Sequence, residues 1–281
     1  MPELLCAGYG YSAAALSSRL KRQGWAVAGT ARTPDKRAAM EAAGVQALSL
    51  GPQIAPVMAR ATHLLISAPP GEGGDPVLNA IRGMPAPNLV WIGYLSTTGV
   101  YGDHGGAWVT EESELRPQSA RSRRRVEAEQ AWEAWGRARG ATVQIFRLAG
   151  IYGPGRSQLD SLREGTARAI DKPGQVFSRI HVDDIANVLE RGIAHPSAHG
   201  AFNVCDDEPA PPAEVVAFAA SLLGMTPPPV EDFEIAKATM SEMALSFYAD
   251  NKRVSNTKMK TELGVKLLFP TYREGLRAIL R

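Results

Sequence analysis

Residues 4–20 place a short apolar run, a glycine turn and the opening of a small-residue helix in direct succession. Leu4-Leu5-Cys6-Ala7 reads as a β-strand, and Gly8-Tyr9-Gly10-Tyr11-Ser12-Ala13 has the form G-x-G-x-x-A. Ala14-Ala15-Leu16 then continues as a helix through Leu20, closed near Gly24. Gly8 permits a tight turn, Gly10 leaves the backbone open to a pyrophosphate, and Ala13 lets the helix approach the sheet. The helix N-terminus, at Tyr11 and Ser12, supplies unpaired N–H groups and the positive end of the helix dipole. An isolated pattern of this kind also occurs in ordinary glycine turns. Inside a strand–helix–strand unit it signals dinucleotide binding.

The same rhythm continues along the chain. Trp25 to Thr30 is a second strand, followed by a helix from Pro34 to Ala43 closed by Gly44. Val45 to Leu48, Leu64 to Ser67, Leu89 to Ile92 and Val143 to Phe146 read as strands three to six, and Ala201 to Cys205 as a later one. A long helix is expected from about Ser119 to Arg139, stopped by Gly140. Apolar strands alternating with helices give an α/β fold, a doubly wound parallel sheet covered on both faces. The segments Pro209–Pro212 and Pro227–Pro229 read as stiff loops around a small, mostly helical C-terminal lobe. The expected division is 1–155 plus 176–205 for the dinucleotide-binding domain, and 156–175 plus 206–281 for a substrate lobe.

With 281 residues the chain can bury a large core. A net charge of +2 creates no field that calls for nucleic acid or an anionic membrane. The two cysteines, Cys6 and Cys205, lie in apolar strand-like runs and read as core residues in a reducing compartment. No apolar run approaches the roughly 18 residues of a membrane span, and the chain enters its first strand without a signal peptide. The expectation is a cytoplasmic protein. No His/Asp/Glu cluster has metal-ligand spacing, so no metal is expected.

An NAD-binding fold usually carries an acid about 20 residues past the glycines, to hold the ribose hydroxyls. Here that window reads Gly29-Thr30-Ala31-Arg32-Thr33, with Lys36 and Arg37 close behind. Arg32, Thr33 and Lys36 suit a 2′-phosphate, which favours NADP over NAD, although a solvated basic loop has the same composition.

The fifth strand runs into Tyr94-Leu95-Ser96-Thr97-Thr98-Gly99-Val100-Tyr101-Gly102-Asp103, with hydroxyls where a doubly wound sheet binds ligands. This stretch resembles the extended short-chain dehydrogenases/reductases, the nucleotide-sugar epimerases and dehydratases. Arg147-Leu148-Ala149-Gly150-Ile151-Tyr152-Gly153-Pro154-Gly155 resembles that family's loop after strand six, and Arg179-Ile180-His181-Val182-Asp183-Asp184 its later strand-to-helix motif. The resemblance implies that Ser67-Ala68-Pro69, Gly150 and Ile151 border the cofactor. It gives Thr97, beside Thr98, the role of hydrogen-bonding the reacting oxygen, and it makes a homodimer the expected assembly.

The family also uses Tyr-x-x-x-Lys on the next helix, the Tyr as general acid/base and the Lys on the nicotinamide ribose. Counted back from Glu129, those positions hold Arg121 and Arg125. The chain therefore resembles an atypical member lacking the pair. Arg125 can still hold ribose hydroxyls, whereas a guanidinium with a pKa above about 12 cannot exchange protons near neutrality. Three readings of Arg121 stay open: a solvated helix end, an anion anchor, or a bystander while Tyr101 or Tyr94 carries the proton. Arg156, Arg179 and Arg253 are candidates for an anionic substrate. Asp183 or Asp184 is expected to cap a helix. Met240, Met243 and Phe247 have core-like helical spacing, and Gly71–Gly74 reads as a closing loop. Together these features point to an NADP-dependent oxidoreductase or epimerase/dehydratase-like enzyme on a small polar substrate, anionic or a nucleotide sugar. A protein that binds NADP(H) as a sensor without catalysis is the alternative.

Overall fold

In a computed structural model, which describes residues 1–280, seven strands form one parallel sheet. They are β1 (Glu3–Ala7), β2 (Ala26–Thr30), β3 (Gln46–Leu48), β4 (His63–Ile66), β5 (Trp91–Thr97), β6 (Thr142–Leu148) and β7 (Gly200–Val204). Their order is β3-β2-β1-β4-β5-β6-β7. The chain winds outward from β1 to β3, then returns to start again at β4 on the other side of β1. That reversal leaves a crevice at the carboxyl ends of β1 and β4, where such sheets take their ligands.

Strand alternation builds two cores from one sequence. Leu4 and Cys6 of β1 point to the face shared with Leu16, Leu65, Phe146, Leu189 and Phe202. Leu5 and Ala7 point to the opposite face, with Leu64, Ile66, Ile92 and the indoles of Trp132 and Trp135. The first face is covered by the helices Tyr11–Arg22 and Val182–Ala194, the second by Ala120–Arg137. Both cysteines are free and buried. Among the described residues no helix is long and apolar enough to cross a membrane.

The smaller lobe has its own core, with Tyr152 from the short strand Gly150–Tyr152 and Leu159, Leu162, Val215, Val216, Tyr272 and Leu276 from helices Gln158–Arg163, Pro212–Leu223 and Tyr272–Leu280. Two short strands, Ala169–Asp171 and Val230–Asp232, pair beside it. Residues 257–265, counted from sequence with this lobe, instead send Met259, Leu263 and Val265 into the core of the main sheet.

Three local expectations are corrected. Strand five runs on to Thr97, because Ser96 and Thr97 still pair in register with Arg147 and Leu148. The helix Val182–Ala194 is capped by the side chain of His181, which accepts from the Asp183 N–H at 3.1 Å, so neither acid is the cap. The buried Asp184 carboxylate instead accepts the N–H groups of Leu268 (2.6 Å) and Phe269 (3.0 Å). Gly71–Gly74 is a closed turn held by two backbone hydrogen bonds between its ends, at 2.9 and 3.2 Å.

Candidate active site

The glycine turn is tied to the strands on either side of it. Gly8 has φ +92°, and a Cβ there would stand 2.7 Å from the Ala68 nitrogen, so only glycine fits. Its N–H donates to Thr30 Oγ1 at 2.8 Å, and the Ser67 hydroxyl donates to its carbonyl. The ends of β1, β2 and β4 are thus locked together. Gly10 caps the following helix with no side chain to occupy its first-turn N–H groups, and a Cβ added at Gly10 would meet nothing closer than 4.0 Å. An uncapped helix start facing open space suits a diphosphate. Tyr11 reaches across from this turn, its hydroxyl donating to the Pro154 carbonyl at 2.9 Å.

Beside the turn opens a cleft of about 860 Å³ between the sheet and the small lobe. Of the residues singled out from sequence, Gly10, Tyr11, Ser12, Ser67, Thr97, Thr98, Arg121, Arg125, Gly150 and Ile151 line it. Gly8 and Ala68 lie beneath the turn. Arg32, Thr33 and Lys36 stand exposed at the tip of β2, outside the cleft, and Pro69 is exposed beyond β4. Thr33 caps the helix Pro34–Ala42. Arg37 holds the tip by donating to the carbonyls of Ala31 (3.1 Å) and Arg32 (3.0 Å).

The two arginines that replace Tyr and Lys differ sharply. Arg125 is buried at the cleft wall, its Nη1 donating to Tyr94 Oη (3.0 Å) and the Leu95 carbonyl (2.7 Å), while Nε has no partner. Arg121, one turn earlier, is exposed and pairs with no carboxylate among the described residues. Thr97 Oγ1 accepts the Gly99 N–H at 3.1 Å, which leaves its own proton to donate.

Neither tyrosine proposed as proton carrier reaches the cleft. Tyr101 is fully buried, donating to Asn203 Oδ1 at 2.7 Å and accepting from Arg147 at 2.9 Å. Tyr94 is fully buried against Trp132. Burial pushes both phenols up to about 12, with Arg147 and Arg125 opposing. Behind Tyr101, the buried Glu129 carboxylate receives Arg147 Nη2 at 2.8 Å and the Ser96 hydroxyl. This network fixes β5 to the helix that carries both arginines.

Around the rest of the cleft stand Arg156, Arg168, Arg179 and Lys252, facing the carboxyls of Asp160, Glu164 and Asp250. With Arg121 and Arg125 that makes six cations against three acids. Arg168 is paired with Glu231 outside the lining, and Lys252 with Asp250 at 3.3 Å. Arg253 turns away from the cleft and donates to the Gly106 carbonyl. Lys252 and Arg168 are lining residues that pattern reading passes over, because the fold alone brings their segments to the cleft. Burial pulls the Lys252 ammonium below the usual lysine range, opposed by Asp250 and Asp103. Phe247, read as core, is 54% exposed at the cleft mouth, and Met243 is 61% exposed.

A parallel sheet with this reversal, a glycine turn at its first strand and hydroxyls at its fifth define an NAD(P)-binding Rossmann-type protein. Residues 71–205 match the NAD dependent epimerase/dehydratase family. Over that segment the chain is similar to the family, and its sheet has the family's fold. A functionally unknown conserved protein from Silicibacter pomeroyi is 50% identical, with a TM-score of 0.93, over 100% of this chain and 98% of its own. Protein YeeZ of Escherichia coli K12 is 27% identical over 245 residues, which cover 81% of this chain and 86% of YeeZ. The human epimerase family protein SDR39U1, solved with NADPH, is 18% identical with a TM-score of 0.78, over 99% of this chain and 98% of its own, and shares the fold.

Proposed function

We propose that this protein is an NADP-dependent oxidoreductase or epimerase-like enzyme acting on a small, polar, anionic hydroxyl or carbonyl compound. The observation that supports it most is the cleft itself: Thr97 and Thr98 share one cavity with unpaired guanidiniums, next to an uncapped helix N-terminus. The nucleotide's diphosphate would lie on Gly10, Tyr11 and Ser12, and its adenosine 2′-phosphate at Arg32, Thr33 and Lys36. The NADPH seen in the human neighbour is compatible with that choice. When bound, the nicotinamide would supply or accept a hydride.

The chain's own residues then divide the work. Thr97 donates to the reacting oxygen, with Thr98 beside it. Arg125, which lines the cleft, holds ribose hydroxyls. Arg121 anchors an anionic group on the substrate or polarises it. With Tyr94 and Tyr101 out of reach, the proton comes from water in the open cleft or from Lys252, whose lowered pKa eases its release. Buried free cysteines suit a reducing, cytoplasmic setting.

NADPH and NADH titrations followed by nicotinamide fluorescence, then a panel of carbonyl compounds and sugar nucleotides, test this reading. Tight NADPH binding with oxidation on some panel member is the expected result. Binding without oxidation on any of them supports the rival reading, a cofactor sensor, which the loss of the Tyr-Lys pair favours.

A further inference from the structure

The two walls of the cleft differ in kind. Toward the sheet the lining is hydroxyl, glycine and guanidinium. Toward the small lobe, the polar residues Ser157 to Glu164 stand on one side, and Phe177, Phe247, Tyr248 and Tyr272 gather around Arg179. Phe177 meets Tyr248 edge-on with ring centres 5.3 Å apart, and Tyr248 stacks on Phe233 at 5.1 Å. Tyr272 spends its hydroxyl on Glu214, at 3.0 Å, and from the small lobe's core it backs the subsite rather than opening into it.

Arg179 stands among these rings, its guanidinium carbon 5.9 Å from the Tyr272 ring centre. Its Nη1 donates to the carbonyls of Phe177 (2.8 Å) and Ala210 (3.1 Å), which fixes the plane of the fork. Nε and Nη2 meet no protein acceptor among the described residues, and no carboxylate pairs with the group. Asp206 approaches through its backbone, the N–H donating to the Arg179 carbonyl at 2.7 Å. Burial pushes the Asp206 carboxyl up to about 8 against the pull of Arg179, and the two groups form no ion pair. A half-buried, oriented cation without a counter-ion is unfavourable until an anion completes it. A planar fork matches a carboxylate through two parallel hydrogen bonds. The flanking rings offer apolar surface beside the fork. Phe247, exposed in the free protein, would gain by covering a ligand.

We propose that Arg179, with Phe177, Phe247, Tyr248 and Tyr272, forms a subsite for an aromatic carboxylate: the fork takes the carboxyl group and the rings take the flat apolar body. This rests on the enzyme reading above and narrows its substrate to aryl acids rather than nucleotide sugars.

Calorimetric titration of the NADP⁺-saturated protein with trans-cinnamate, its neutral analogue cinnamamide, phenyl phosphate and UDP-glucose tests it. Cinnamate is expected to bind at least tenfold more tightly than cinnamamide and more tightly than UDP-glucose. Arg179→Gln should erase the gap between acid and amide while leaving NADP⁺ affinity unchanged. Phe247→Ala, at an exposed site that cannot upset the fold, should weaken cinnamate severalfold, and it decides the matter if Arg179→Gln does not fold. Equal binding of acid and amide, preference for phenyl phosphate or UDP-glucose, or no probe binding at all would overturn the subsite. If NADP⁺ binds in those cases the cofactor reading stands; if NADP⁺ itself does not bind, that reading fails first.

Discussion

Replacing Arg32 by Ala isolates the residue on which the choice between NADP and NAD most depends. The side chain is exposed at the tip of β2. The tip does not need it for support, since Arg37 holds the carbonyls of Ala31 and Arg32, and the Ala31 N–H donates to Leu48 at 2.9 Å. Arg32→Ala should therefore leave the fold intact. A charge-assisted hydrogen bond to a phosphate contributes about 1.5–3 kcal/mol. An exposed pair is screened by solvent, toward about 1 kcal/mol or less. Taking about 1.4 kcal/mol, between these two limits, NADPH affinity should fall about tenfold. NADH affinity should not change, because that nucleotide has no phosphate there. Salt gives a second signature: the Debye length shrinks from about 10 Å at 0.1 M to about 3 Å at 1 M, so the wild-type preference for NADPH should narrow at high salt while the variant's ratio stays flat. Fluorescence titrations with both reduced nucleotides at two salt concentrations measure all four quantities. Equal losses for NADPH and NADH in the variant, or a wild-type preference for NADH, would refute the assignment of the basic tip.

Gly8→Ala should weaken binding of either nucleotide and cost stability, about 1–2 kcal/mol from the positive φ alone, plus displacement of Ala68, which a new Cβ would meet at 2.7 Å; a variant that melts and binds like wild type would contradict the rigid-turn argument. Glu129→Ala strands the buried Arg147 charge and should cost about 3–5 kcal/mol in urea unfolding, whereas the double change Glu129→Leu with Arg147→Met should cost much less; similar losses in both would show that packing, not charge, governs the pair. Asp206 gives a pH signature: its folded-state pKa, raised to about 8 from 3.8, means the native state binds the extra proton, so stability is greatest below the unfolded value and falls as pH rises through that window. Asp206→Asn should remove that part of the slope, and an unchanged profile would point to another group. Arg121→Ala should weaken anionic panel compounds in preference to neutral ones, and equal weakening of both would rule out an anchoring role.

The features legible in the chain share one physical property: they are local. Leu4 to Leu20 show strand, turn and helix start because each depends on neighbours within a few residues, and the structure adds only the reason Gly8 must be glycine, its approach to Ala68. The resemblance to the epimerases and dehydratases puts Thr97, Thr98, Arg121 and Arg125 at one site, and all four line one cleft. What stayed hidden was set by distant packing. Tyr94 and Tyr101 look available beside the threonines, yet Trp132 covers the first, and Asn203 and Arg147, from strands β7 and β6, claim the hydroxyl of the second. Lys252 reaches the cleft through a hydrogen bond to Gly102, 150 residues earlier in the chain. Phe247 has a core residue's spacing, but its helix borders the cleft mouth rather than an internal layer.

The difference in environment between Arg121 and Arg125 bears on what chemistry an Arg-x-x-x-Arg helix can support. Arg125 is committed: two of its donors are used on Tyr94 and Leu95, and burial holds it in one orientation. Such a group can position a ligand but cannot follow a moving charge. Arg121 is exposed, and without a carboxylate partner among the described residues it is free to meet whatever anion enters. On the reading proposed above, the helix positions ligands and supplies no acid. Any reaction here must draw its proton from solvent or from Lys252, and the two sources separate in the pH dependence of turnover. A lysine donor imposes an alkaline limb that moves with Lys252→Arg, whereas a solvent donor leaves the limb in place.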